Sequence, residues 1–218
     1  MSKPSAQVFP LETSSDLEMI NLQSERVIYR GRTALRLLEQ DMTSDEQSIA
    51  IFPDSNFKDG MIEIQVAGSP RADAPAEMRG FVGIAFRVGP HGERFEYFYI
   101  RPSNGRADDQ LRRNHSTQYC SHPDYPWFRL REESPGVYES YTDLVVGEWT
   151  KIKIDVSGVR AQLYVNGAEQ PCLIVNDLKL GETRGQIALW VGAGFRFRWM
   201  FEVDAIGITT SPCPDYYF

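Results

Sequence analysis

The chain has 218 residues, with 23 Lys and Arg against 30 Asp and Glu, for a formal net charge of −7. That balance argues against generic nucleic-acid binding, which needs clustered positive charge. No apolar run reaches the roughly 18 residues of a membrane-spanning helix, which argues against a membrane protein of that kind. The length suits a single β-sandwich domain over residues 1–218, enough chain to bury a large core. Cys120, Cys172 and Cys213 have no metal-type spacing and read as reduced thiols. The chain starts without an apolar core of signal-peptide length. Its default reading is therefore cytoplasmic, with a periplasmic or secreted location the alternative if a leader has been removed.

Residues 1–47 read as an N-terminal strand or extension. Within them, Arg32–Glu39 is short and rich in helix formers, and reads equally as a helix or as a strand after Val27-Ile28-Tyr29. From residue 48 the pattern is mostly strand: 48–52, 61–66, 81–88, 95–101, 127–131, 137–140, 150–156, 159–165, 185–191 and 197–208. Gly, Pro, Asn and Asp clusters punctuate these segments, and residues 67–79 read as an exposed loop. Short strands at this spacing predict an all-β, two-sheet antiparallel sandwich. Residues 102–126 break the rhythm as a long insert, and such loops are commonly functional.

Alternation splits each strand into two faces. Val82, Ile84, Phe86 and Val88 form one apolar set, leaving Arg87 on the other face. Phe98 and Ile100 read as core, opposite Tyr97, Tyr99 and Arg101. Phe128 and Leu130 read inward, leaving Trp127, Arg129 and Arg131; Ile187, Leu189 and Val191 read inward, leaving Trp190. Glu63, Glu202 and Asp204 fall on wet faces of their own strands. If several of these share one sheet, they make a groove of aromatic rings and guanidiniums. Such a groove suits an oligosaccharide, because rings stack on the C–H faces of sugars and guanidiniums bind hydroxyls or carboxylates in pairs. The competing reading is an ordinary solvated sheet face with cross-strand Arg, Glu and Tyr pairs.

The stretch Gly147-Glu148-Trp149 through Val156, then Val159 through Leu163-Tyr164-Val165-Asn166-Gly167, reads as two adjacent strands with a Ser157-Gly158 turn and an Asn-Gly turn. It resembles the paired strands of the concanavalin A-like lectin and glucanase superfamily, particularly laminin-G-like jelly rolls. The segment Glu96-Tyr97-Phe98-Tyr99-Ile100-Arg101-Pro102-Ser103-Asn104, followed by Gln118-Tyr119 and Trp127, resembles bacterial laminin-G-like proteins related to the keto-disaccharide hydrolase group. The resemblance implies a jelly-roll sandwich with a ligand groove bordered by Arg101, Asn104, Gln118, Tyr119 and Trp127. With Arg87, Tyr97, Tyr99, Arg131 and Trp190 these make the candidate substrate-binding set.

Glycoside hydrolysis needs two carboxylates. Glu202-Val203-Asp204 puts two on one strand face and resembles part of the E-x-D-x-E signature of glucanases with this fold, with Ile206 at the third acidic position. His115, in the insert, and Glu139, near it, are further candidates for acid/base catalysis. His115, His122 and Asp124 match no established metal spacing. Asp54, Asp59, Asp108 and Asp109 permit a calcium ion without forming a recognisable cage. No phosphate-binding glycine loop or nucleophile elbow is present. The sequence thus points to a carbohydrate-active protein, first of all a glycoside hydrolase-like enzyme. A lectin-like binding module is the alternative, and an intracellular enzyme for a small glycosylated or aromatic metabolite the weaker one. An apolar outer face would mean a partner, and a homodimer is left open.

Overall fold

A computed structural model describes residues 5–11, 13–41, 47–70, 80–193 and 199–210, and at 5–6, 10, 70, 193 and 199–210 it describes the backbone alone. In chain order the strands are β1 (Ser5–Pro10), β2 (Glu18–Ile20), β3 (Leu22–Tyr29), β4 (Arg32–Glu39), β5 (Ser48–Phe57), β6 (Gly60–Pro70), β7 (Gly80–Val88) and β8 (Phe95–Ile100). After the short helices α1 (Pro102–Gly105) and α2 (Gln110–Asn114) come β9 (Thr117–His122), α3 (Trp127–Glu133) and β10 (Glu139–Ser140). The chain continues through β11 (Thr150–Ser157), β12 (Arg160–Val165), β13 (Leu173–Val175), β14 (Gly185–Ala193) and β15 (Trp199–Thr210).

Pairing is antiparallel throughout and builds two sheets. The eight-stranded sheet runs β13-β12-β11-β6-β15-β4-β3, with β1 also paired to β15; the seven-stranded sheet runs β10-β9-β8-β7-β14-β5-β2. The described part of residues 1–47 supplies strands to both sheets. The expected insert is shorter than 102–126, because its last part is β9, an inner strand paired to both β8 and β10.

Alternation decides which side chains meet between the sheets. Along β11, Ile152, Ile154 and Val156 are buried while Lys151, Lys153 and Asp155 are half-exposed. They face Leu163 and Val165 across β12, and Ile62 and Ile64 across β6. The opposing layer brings Val82, Ile84, Phe86, Phe98, Ile187 and Leu189, all nearly fully buried. Burying side chains of this size stabilises by about 1.5–3 kcal/mol each before chain entropy is counted.

Arg32–Glu39 resolves as a strand. The turn at Arg30-Gly31 has positive φ at both residues, 47° and 79°, and pairs Tyr29 with Arg32. This register sends Leu35 and Leu37 into the core, and burial outweighs helix propensity over so short a segment. Asn166-Gly167 forms the expected turn, with φ of 53° and 75°. The β11–β12 turn sits one residue later than expected, at Gly158-Val159, because Ser157 pairs with Arg160.

The segment 127–131 is a correction. It is not a strand but the helix α3, started after Pro126 and closed by an Arg129–Glu133 ion pair of 2.7 Å at i,i+4 spacing. Leu130 is buried and Phe128 is 59% exposed, so the two do not share an inward face.

Candidate functional site

Two cross-strand rows cover the outer face of the seven-stranded sheet. One runs Ile49, Trp190, Gly83, Tyr99, Gln118, Glu139; the next runs Ile51, Ala188, Ala85, Tyr97, Cys120. The structure therefore brings Tyr97, Tyr99, Gln118, Glu139 and Trp190 together on one face. Gly83 makes this possible: a Cβ there would lie 2.0 Å from the Phe98 carbonyl oxygen and 2.7 Å from Tyr99 Cβ.

The face is not the open wet groove expected. Tyr97, Tyr99, Gln118 and Trp190 are 7%, 2%, 1% and 7% exposed, and Ile49, Ile51 and Cys120 are fully covered. Trp190 packs against Tyr97 and Tyr99 with ring centroids 4.9 and 4.8 Å away, and its indole N–H donates to Gln47 Oε1 (3.1 Å). Burial pushes the Tyr97 and Tyr99 hydroxyls far above their ordinary range and the Cys120 thiol up to about 12, so Cys120 is a packing residue and not a nucleophile.

Polar groups converge where this layer meets the insert. Arg101 Nη2 donates to Tyr99 Oη (2.7 Å) and to Gln118 Oε1 (3.5 Å), and Nη1 donates to the His115 carbonyl (2.8 Å). The same guanidinium lies over the Phe81 and Tyr99 rings, 5.0 and 4.9 Å from their centroids. Gln118 Nε2 donates to the carbonyls of Tyr119 and Tyr138, which fixes its amide. Asn104, buried on α1, also donates to the His115 carbonyl (3.2 Å), while its Oδ1 has no partner.

Above this floor, Arg131 grips the Glu139 carboxylate through Nε (3.1 Å) and Nη2 (2.6 Å) and lies 4.9 Å from the Trp127 ring centroid. His115 Nδ1 is 2.7 Å from Glu139 Oε2, close but out of line for a hydrogen bond. Burial lowers the His115 pKa first; Glu139 opposes that shift, and the Arg131 and Arg101 charges add to it. The imidazole is accordingly neutral at neutral pH. With Nδ1 against a carboxylate, the favoured tautomer carries its proton there and leaves the Nε2 lone pair free to accept one.

Other candidates lie elsewhere. Arg87 leaves the outer face because it has φ of 55° at a β-bulge; its guanidinium donates to the carbonyls of Lys58, Gly158 and Gly181 and to Asp59. Tyr119 faces inward, its hydroxyl donating to Glu96 and accepting from the Lys179 amide, so it borders no groove. Arg129 lies over Tyr125 and pairs with Glu133, and Glu63 pairs with Lys151 on the eight-stranded sheet.

Glu202 and Asp204 stand on β15, also in the eight-stranded sheet and so not in the sheet of Tyr99 and Gln118; their side chains, like Cys213, lie outside the described residues. Glu202 pairs with Arg36 and Ala67, and Asp204 falls in the irregularity between Val203 and Ile206. Among the described residues no three His, Cys, Asp or Glu side chains converge as a metal site. Asp59 is engaged by Arg87 and the Gly158 amide, and Asp109 caps α2 through the Arg112 amide. Alternation alone missed the inward turn of Arg87 and the part α3 plays in holding Arg131 over Glu139.

No family model matches the chain, and no curated protein sequence matches it. Solved structures do. A carbohydrate-binding module from Bacillus subtilis is similar at 12% identity and a TM-score of 0.53, over 90% of this chain and 92% of its own. A prokaryotic β-1,3-1,4-glucanase (lichenase) from a mouse hindgut metagenome is similar at 13% identity and 0.56, over 94% and 98%. Peanut lectin is similar at 10% identity and 0.53, over 96% and 98%. With two antiparallel sheets packed face to face, the chain has the jelly-roll β-sandwich fold of the concanavalin A-like lectins and glucanases.

Proposed function

We propose that this chain is a carbohydrate-active protein that engages an oligosaccharide or glycoside where the insert meets the edge of the seven-stranded sheet. One observation carries the reading: an accessible rim of Trp127 (38% exposed), Arg131 (side chain 32%) and His115 (side chain 17%) stands over the packed Tyr99–Arg101–Gln118 floor. An exposed indole offers a stacking face for a sugar ring, and the groups beside it can bond hydroxyls. The lectin, glucanase and binding-module neighbours share this scaffold, which raises the reading without assigning a ligand.

Within it, neutral His115 is the group suited to move a proton, held by Glu139, in a glycoside hydrolase-like reaction. The second reading is a non-catalytic, lectin-like module. It is favoured by the bidentate grip of Arg131 on Glu139, which ties down the carboxylate beside His115. A mass-spectrometric time course with a panel of oligosaccharides and glycosides separates the two. On the catalytic reading a product mass appears, and His115→Ala abolishes it while the ligand is retained. Retention without any product leaves the binding module. If Trp127→Ala and His115→Ala change neither retention nor turnover of a ligand that the wild type handles, the rim is not the site.

A further inference from the structure

Arg101 is 5% exposed, and among the described residues no carboxylate pairs with it. Its partners are a carbonyl, a phenol, an amide and two ring faces, all neutral. A buried cation is ordinarily matched by a buried anion, because desolvation of a lone charge is costly. Glu139, beside this cluster, is already gripped by Arg131 and lies 2.7 Å from His115 Nδ1. Two guanidiniums thus stand against one carboxylate, in a chain whose overall charge is −7. The local sign is opposite to that of the molecule as a whole.

We propose that this site takes an anionic sugar, bearing a carboxylate or a sulfate ester, with the charged substituent seated at Arg131 over the field of Arg101. The inference rests on the carbohydrate reading above and specifies its ligand class. The partly exposed Arg131 provides the approach, while Arg101, beneath, supplies charge that no carboxylate among the described residues cancels. Guanidinium forks match carboxylate and sulfate oxygens alike. The fixed site geometry, with Arg101 held by Tyr99 and the His115 carbonyl, requires little rearrangement when the anion arrives.

The test is calorimetric titration with matched neutral oligosaccharides, uronic-acid oligosaccharides and sulfated oligosaccharides, at low and at moderate salt. The proposal expects one acidic class to bind at least about tenfold more tightly than its neutral counterpart, since one uncancelled charge in a partly buried site is worth roughly that factor. Arg131→Gln should remove the preference. Glu139→Gln gives a result of opposite sign: taking away the competing carboxylate should tighten the acidic ligand about threefold or more relative to its neutral counterpart. Arg101→Gln is informative only if its melting temperature stays near wild type, which is why the other two variants carry the test. Neutral and acidic ligands bound equally would overturn the anionic assignment and leave the carbohydrate reading standing. No binding of either class would overturn both. Acidic-ligand affinity that falls on Glu139→Gln with the fold intact would show that Glu139 contacts the sugar and not that it competes with it.

Discussion

His115 and His122 are both held below the ordinary histidine range, each chiefly by burial, with Glu139 and Asp124 respectively opposing the shift. A histidine kept neutral in the folded state binds fewer protons there than in the unfolded chain. Its contribution is therefore complete above the unfolded value, about 6.5, and is lost as the pH falls from that value to and through the depressed folded one. Urea midpoints should drop between about pH 7.5 and about pH 5, and His122→Asn should flatten that drop. An equal slope in the variant would mean that His122 is not desolvated. On the inward face, Tyr119 offers a second test. Its hydroxyl joins the buried Glu96 carboxyl to the Lys179 amide, and Glu96 Oε1 accepts from the Leu180 amide (2.6 Å). Tyr119→Phe leaves the ring packed but orphans both partners, so it should cost about 1–3 kcal/mol in urea unfolding. A change within error would show that water replaces the hydroxyl.

At the scale of elements, legibility followed burial. β11 and β12 could be read because each has one buried and one wet face, so apolar and polar residues alternate strictly. The outer face of the seven-stranded sheet hid itself for the opposite reason. β8 is buried on both sides, all six residues of it, and its Tyr97 and Tyr99 looked like a wet face only because they carry hydroxyls. α3 was misread because a seven-residue helix presents barely two turns, and Phe128 and Leu130 are two apart, the strand period. The helix makes a contrast that a strand would not. Leu130→Ala should cost about 2–5 kcal/mol, because the side chain is buried. Phe128→Ser, at a 59% exposed position, should change stability by no more than about 0.5 kcal/mol. Comparable losses from both, measured by chemical denaturation, would restore the strand reading. Leu130→Ala should also loosen Arg131 from Glu139, so its effect on ligand retention should exceed that of Phe128→Ser.

At the scale of the whole molecule, the question is what fixes one sheet against the other beyond the apolar core. Arg87 supplies one answer, and a sequence pattern has no means of revealing it, because strict alternation puts this residue outside. The bulge and a φ of 55° turn it across the end of the sandwich. From β7, in the seven-stranded sheet, its guanidinium reaches the Lys58 carbonyl (3.0 Å) and Asp59 (3.2 Å) in the β5–β6 turn, the Gly158 carbonyl (2.7 Å) in the β11–β12 turn, and the Gly181 carbonyl (2.7 Å) before β14. Asp59 closes the ring by accepting from the Gly158 amide (2.8 Å). Burial lowers the Arg87 pKa and Asp59 opposes the shift, so the charge is tolerated because its donors are matched. Arg87→Met retains the volume and strands Asp59 with three carbonyls, so it should cost about 3–5 kcal/mol. Arg87→Lys should recover little, since one ammonium cannot reproduce a planar fork aimed at three turns. Hydrogen exchange should show the loss first at the Gly158 amide, whose acceptor is released, before it appears in the β11 and β12 ladder. If Arg87→Met unfolds within about 0.5 kcal/mol of wild type, the apolar layer alone sets the angle between the sheets, and the guanidinium merely fills the space the turns leave.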